Sequence, residues 1–581
     1  MRRTTFFALP LLAVSLFCTP AIALSSRSAP LAPEFLESRG HTSAGGAGTT
    51  GYRPGPLDLS HIAGKRVFGK TLSRTATFPV SFDLRSLGRV TPVRDQEMAG
   101  TCWAHAALAS IESNILTQGG DALSLSPQHL SWFVFKTPTA FTTEQRYFDD
   151  DPAQPYAPNQ NVFQQGGWDW QAVAALARWV GPVAEEECPY GPFPSSPAEI
   201  SPDRLPTGSE TVLRHLHNAY YLGGPYEPLG LQQFDLPAHE AFVENVKTAL
   251  QTYGGVVLVY DALAQYMNAS KDAFYHPAGQ GTIEANHAVL LVGWDDAYPK
   301  ERMLVSGDDG AGYTPPADGA WIFKNSWGTD VGDAGYYRIS YYSSVLWSGT
   351  AYVTEATATY DAVYDHDSLG WVNGHGYPGS DTAFFANVFT AGTPSSPLSK
   401  TAATGGATAE SLKAVSFYAG APDSEYAIRV YRGGSAGDPA SGTLVSGPKV
   451  GVLDAPGYHT IALDSAPTLS AGERFTVVVR LRTPGYLYPI PVEYAVTGYS
   501  DAATASAGEG YISANGTIWE DASLYHNGTM SVCIKAFTKT AATTPTVTQG
   551  DKGSGGGCSA ATAEGAPLAM LLFVPALLLR K

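Results

Sequence analysis

From residue 256 to residue 537 the chain is cut into short β-rich runs by Gly, Pro and Asp, and this punctuation limits the fold more than any other sequence feature. The runs 256–260, 288–293, 320–324 and 336–340 read as strands, as do 412–418, 426–431, 457–463, 474–481 and 530–537. Helical patterns precede them. Ala107, Ile111 and Ile115 share one face of a helix over 103–118, a second helix fits 170–180 before Gly181-Pro182, and a third fits 240–253 before Gly254-Gly255. Helices first and strands later predict an α+β domain over 78–350, and the strand-only stretch 358–540 predicts an all-β sandwich.

The 581 residues, 44% of them hydrophobic, supply more than one core. Residues 1–23 read as a signal peptide: Arg2 and Arg3, an apolar run from Phe6 to Phe17, then Ala21-Ile22-Ala23. That run is shorter than the about 20 residues a spanning helix needs. Cys18 is not read as a lipidation site, because bulky Phe17 precedes it. Residues 24–77 are rich in Pro, Gly, Ser and Ala and are expected to be a largely irregular leader or pro-segment. At the other end, 541–557 reads as a flexible linker and 558–581 as a tail with an apolar run from Ala566 to Leu579 and a basic end. A net charge of −17 argues against nucleic-acid partners, which call for basic stripes. Only Cys102, Cys188 and Cys533 lie between the two ends, too few and too scattered for a disulfide framework or a metal site.

A cysteine attacks as thiolate, and the start of a helix beside an imidazolium favours that form. Cys102 opens the first helix. The segment Gln96-Glu97-Met98-Ala99-Gly100-Thr101-Cys102-Trp103 resembles the active-site segment of the papain family of cysteine peptidases. Asn286-His287-Ala288-Val289-Leu290-Leu291-Val292-Gly293-Trp294 resembles the family's histidine strand, and Trp321-Ile322-Phe323-Lys324-Asn325-Ser326-Trp327-Gly328 its asparagine motif. The resemblance implies Cys102 as nucleophile, His287 as acid/base partner, Asn325 orienting that ring under the shield of Trp327, and Gln96 as oxyanion donor beside the Cys102 backbone N–H. It also implies that Gly166 and Gly167 pair with an extended substrate, where a side chain would block the approach. Asp169 after them gives the hypothesis of a polar or basic substrate preference. Residues 78–85, 90–96 and 335–339 resemble other parts of the same family domain.

Several positions depart from the family pattern. Ala99 and Gln164 or Gln165 stand where the family has a cysteine pair, Asn286 stands where several members carry Asp, and Cys188 reads as a structural thiol. Pro-rich insertions occupy 137–158 and 192–237, and the leader has no long helical pattern of the inhibitory type. The leader stretch 54–61 is instead expected to lie along the cleft beside Gly166 and Gly167, with Leu57 or Leu59 in an apolar pocket.

Residues 414–418, 457–461 and 533–537 resemble the lectin-like domain that follows some bacterial papain-like peptidases, which implies a carbohydrate or surface ligand; Trp371 and Trp519 read as core residues. The fold expected is thus an α+β papain-like catalytic domain, a helical half plus a β-barrel-like half, followed by an all-β sandwich of jelly-roll or lectin-like type. The glycine-rich spacer and apolar tail resemble bacterial GlyGly-type sorting signals, with a simple membrane anchor as the alternative. The activity implied is peptide hydrolysis by a secreted or surface-attached enzyme on peptide or protein substrates, with no metal or organic cofactor and membrane contact only through the tail. Acyl transfer by the same groups stays open, and the rival from another class is a surface adhesin with a papain-like scaffold.

Overall fold

The computed structural model describes residues 25–38, 50–69, 77–135, 162–193, 204–225, 236–281, 285–344, 346–395, 399 and 409–540. The signal peptide, linker and tail expectations and the 137–158 insertion lie outside them. Five α-helices are described: α1 (Pro33–Ser38), α2 (Cys102–Thr117), α3 (Pro127–Phe135), α4 (Asp169–Ala177) and α5 (Leu236–Tyr253).

Helix α2 is rich in alanine, the strongest helix former, and ends where Gly119 turns to φ +80 and Gly120 N–H returns to the Ile115 carbonyl at 2.9 Å. Residues 102–115 are all buried, so polar side chains inside the helix need partners. Ser110 Oγ donates to the Gly255 carbonyl at 2.6 Å and Asn114 Nδ2 to the Tyr253 carbonyl at 2.9 Å. These bonds fix α2 against the end of α5 and the strand Val256–Tyr260, and with it the position of its first residue, Cys102.

Among the described residues the central sheet has 13 strands and runs through both halves of the chain. On the catalytic side, Leu346–Ala356, Val256–Tyr260, His287–Asp295, Ala320–Lys324 and Tyr336–Ser340 lie side by side, all antiparallel. On the other side lie Ala362–Tyr364, Ile534–Thr540, Glu410–Ala419 and Gly457–Ala462. The strand that joins them, Arg214–Tyr221, comes from the 192–237 insertion: it pairs with Leu346–Ala356 along one edge and with Gly457–His459 along the other. Asn218 reinforces the joint by accepting from Thr460 N–H at 2.9 Å.

A six-stranded antiparallel sheet, from Thr443–Leu453 to Glu520–Asp521, supplies the second layer of the β region. Trp371 is buried against Trp170 of α4 and Tyr418, so it serves the core across the two regions. Trp519 packs, partly buried, against Ala386, Val388, Val478 and Tyr511.

Among its described residues the leader is mostly irregular, as expected, with three short elements: the strand Arg27–Ser28, α1, and a 3-10 turn at Ser60–Ile62. The strand expected over 530–537 differs from the sequence expectation. The 530–537 run splits into Ser531–Val532 and Ile534–Thr540, which belong to different sheets. At the break, Cys533 N–H donates to the Pro491 carbonyl at 2.9 Å and its thiol to the Gly370 carbonyl at 3.3 Å.

Candidate active site

Cys102 heads α2, His287 heads the strand His287–Asp295, and Asn325 follows the strand Ala320–Lys324 that pairs with it. His287 Nε2 lies 2.8 Å from Asn325 Oδ1, so a ring protonated at Nε2 donates to the amide oxygen. The same oxygen accepts Ser326 N–H at 2.8 Å, which fixes its orientation. Trp327 stacks on the imidazole at 4.7 Å and 22° and covers that bond. His287 Nδ1 has no hydrogen-bond partner among the described residues.

Gln96 is fully buried. Its Oε1 accepts from Ser326 Oγ at 2.6 Å and its Nε2 donates to the Ala99 carbonyl at 2.9 Å. Sequence reasoning did not single out Ser326, although one residue ties both Gln96 and Asn325 into place. Asn286, where a charged partner was not assumed, donates to Asp261 Oδ1 at 2.6 Å and accepts from Ala262 N–H at 2.9 Å. Its backbone carbonyl points into the cleft.

That cleft is filled by the leader. Gly51 and Tyr52 N–H both donate to the Asn286 carbonyl, at 3.1 and 2.9 Å. Gly167 N–H donates to the Gly51 carbonyl at 2.9 Å and Arg53 N–H to the Gly167 carbonyl at 3.0 Å, which makes Tyr52 and Gly167 a parallel bridge. A Cβ on Gly167 would sit 2.6 Å from the Trp103 ring, and one on Gly166 (φ +71) would sit 2.7 Å from the Gly51 carbonyl oxygen. Gly51 is equally constrained, since a Cβ there would lie 2.2 Å from the Gly100 carbonyl carbon. The segment at the cleft is therefore 50–53, not 54–61. Leu57 and Leu59 are buried in the shared core.

Burial changes the chemistry of Cys102. Backbone groups of Ala288, Gly51 and Trp103 hydrogen bond the thiol, but burial outweighs them and pushes Cys102 up to about 12. Burial also pushes His287 down to about 4, against the opposing bond to Asn325. In this covered form burial favours the neutral thiol and the neutral imidazole.

Asp169 is buried at the start of α4, where its carboxylate accepts from Thr350 Oγ1 at 2.6 Å and burial pushes it up to about 6. Asp169, Tyr221, Glu34 and Tyr499 all interact electrostatically with the Tyr52 phenol, which burial holds well above its usual range. Cys188 and Cys533 are buried and free.

Comparisons with known proteins identify the two domains. A family model described as papain family cysteine protease matches residues 78–131 and 164–356, and one described as lectin like domain matches 363–538. The chain thus carries a papain-family cysteine protease domain followed by a lectin-like domain. Viral cathepsins of Orgyia pseudotsugata multicapsid polyhedrosis virus and Autographa californica nuclear polyhedrosis virus are 26% and 27% identical over 261 residues. That match spans 45% of this chain and 59% of each relative's length. The crystal structure of the cysteine protease and lectin-like domains of Cwp84, a surface layer associated protein of Clostridium difficile, shares the fold with a TM-score of 0.65 at 21% identity. The match covers 89% of this chain and 98% of that one. A second Cwp84 structure, after propeptide cleavage, matches with a TM-score of 0.60 at 22% identity, over 79% and 99%.

Proposed function

We propose that this chain is an exported cysteine endopeptidase, held latent by its own leader, that hydrolyses peptide bonds through Cys102, His287, Asn325 and Gln96. The observation that carries the reading is the occupant of the cleft: an extended stretch of polypeptide, bound through its backbone to Gly167 and Asn286, lies directly over Cys102. A cleft that grips backbone there is fitted to peptide substrates.

Once residues 50–53 leave, water reaches the pair and the thiol proton passes to the unpartnered Nδ1 of His287. The thiolate attacks the substrate carbonyl, and the oxyanion is held by the Cys102 backbone N–H and the Gln96 amide. His287 then returns its proton to the leaving amine, and water hydrolyses the acyl-enzyme. Asn325 keeps the ring in register and Trp327 keeps water from their bond. Each step uses groups of the chain and water, so a chelator is expected to leave the rate unchanged.

The signal-like residues 1–23 support export, and the tail at 558–581 supports attachment at the cell surface by a GlyGly-type sorting step or a simple anchor. The lectin-like domain supports a carbohydrate or surface ligand. The adhesin reading is disfavoured by the complete set Cys102, His287, Asn325 and Gln96. The test is cleavage of a peptide library by the chain after its leader is severed, with an epoxide reagent labelling Cys102 and not Cys188 or Cys533. Loss of all turnover in Cys102→Ala is the expected result; an unchanged rate in that variant overturns the reading, and amide products with an added amine would shift it to acyl transfer.

A further inference from the structure

The leader is gripped a second time, on the lectin-like domain. Arg27–Ser28 adds an outer strand to the sheet of Asn373–Gly376, Ile490–Glu493 and Ser531–Val532. Ala29 N–H donates to the Gly374 carbonyl at 2.8 Å, and buried Asn373 donates through Nδ2 to the Ala29 carbonyl at 2.9 Å. That amide is set in advance: Nδ2 also donates to Tyr494 OH at 2.9 Å, and Oδ1 accepts Gly374 N–H at 2.8 Å.

The hydroxyl of Ser28 is read by two imidazoles, His375 Nδ1 at 2.9 Å and His526 Nε2 at 2.7 Å. A hydroxyl can donate to one neutral ring and accept from the other, so Ser or Thr satisfies both and an aliphatic residue satisfies neither. His526 and Asn527 hold φ of +47 and +56, a backbone region that residues other than glycine seldom occupy. This strained pair lays the His526 ring against Tyr494 at 3.6 Å and aims it at Ser28. Strain of this kind gathers at binding sites. Arg27 lies over the Tyr488 ring at 5.9 Å.

Between the two grips the leader packs on the same surface: Trp168, next to Gly167, donates from Nε1 to Tyr499 OH at 2.6 Å, and Tyr499 packs edge-on against Phe35 of α1.

We propose that this strand is an exosite for extended polypeptide: after the leader leaves, it takes a stretch of the protein substrate with Ser or Thr in the place of Ser28 and a basic residue before it. The proposal rests on the peptidase reading for the identity of that occupant. Sheet addition supplies sequence-independent hold, and the two histidines supply the selection.

The test uses the full-length chain with a foreign protease site in each of 40–49 and 70–76, so that the leader can be severed after folding. Binding is measured first on the Cys102→Ala form with a fluorescein-labelled peptide spanning residues 25–38. The peptide is expected to bind at the site, and Ser28→Ala in the peptide or Asn373→Ala in the chain is expected to weaken it about five- to tenfold. Because the first change is made in the ligand, a variant that fails to fold does not decide the result. In the active chain, excess 25–38 peptide should slow cleavage of β-casein at least threefold and leave a short fluorogenic peptide untouched. The proposal is overturned if the peptide does not bind, if both substrates are slowed alike, or if chito-oligosaccharides displace the label while β-casein does not. The binding arm decides the site even in a chain that cleaves nothing, so its failure and that of the peptidase reading are separate results.

Discussion

The leader is held in two places by opposite means. At the cleft, Gly51, Tyr52 and Arg53 are bound through N–H and C=O groups to Asn286 and Gly167, and Gly51 has no side chain at all. At the lectin-like domain, Asn373, His375 and His526 read a particular carbonyl and a particular hydroxyl. The first grip accepts backbone, and the second inspects sequence. Under the proposed activity, a cleft that grips backbone leaves selection to a surface outside it.

The largest expected difference is in thiol reactivity. With Cys102 pushed to about 12 and His287 to about 4, both groups stay neutral between those values, so alkylation of the intact chain by iodoacetamide should be slow and flat from pH 5 to pH 9. The severed chain should react at least about a hundredfold faster at pH 7. Its turnover of a peptide should fall in acid as the thiolate is protonated and in base as the imidazolium proton needed by the leaving amine is lost. Equal rates before and after severing would remove the plug from the account.

Next in size is Gly51→Val. The added carbon meets backbone at Gly100 that has no room to move, and overpacking costs about 1–3 kcal/mol. Turnover of a short peptide by the intact chain should therefore rise at least about fivefold. Ser28→Ala in the same chain removes one hydroxyl from the distant grip and should raise turnover by about fivefold or less. If Ser28→Ala proves the stronger of the two, the anchor and not the cleft contact holds the leader down.

The smallest effect concerns Glu34 of α1, which burial pushes up to about 7 from the 4.5 of a free side chain. Its protonated form is the one that docks. That contribution is complete below pH 4.5 and is lost as pH rises through 7. Glu34→Gln should slow leader release roughly two- to fivefold at pH 8 and leave it unchanged at pH 4, as timed by alkylation of Cys102.

How much of this was legible depends on whether side chains or backbone do the work. Strands 256–260, 320–324 and 336–340 have the same bounds in the sequence reading and in the structure, because turn residues flank compact β-branched and aromatic runs. The site motifs were equally plain, since Cys102, His287 and Asn325 each sit in a side-chain context of eight or nine residues. The plug was not, because Gly51 and Arg53 bind through backbone groups, and the one side-chain demand, a glycine at 51, is hidden in a glycine-rich stretch. Two residues, Arg27 and Ser28, carry no period to detect. Helix α3 is buried over its whole length and lacks a polar face, so no amphipathic signal marks it. Strand Arg214–Tyr221 escaped notice for a different reason: its burial does not alternate cleanly, because neighbours from both halves of the chain flank it.

That shared strand also orders events in time. A ribosome delivers the chain N-terminus first, so the edge of Arg214–Tyr221 that faces Gly457–Ala462 stays bare until more than half of the β region has been made. An open edge is a template for wrong pairing, and a partial chain is most exposed at that stage. Synthesis of the lectin-like domain is therefore the step that closes the peptidase sheet, and a newborn chain cut short before it would emerge as an aggregation-prone fragment and not as a smaller enzyme.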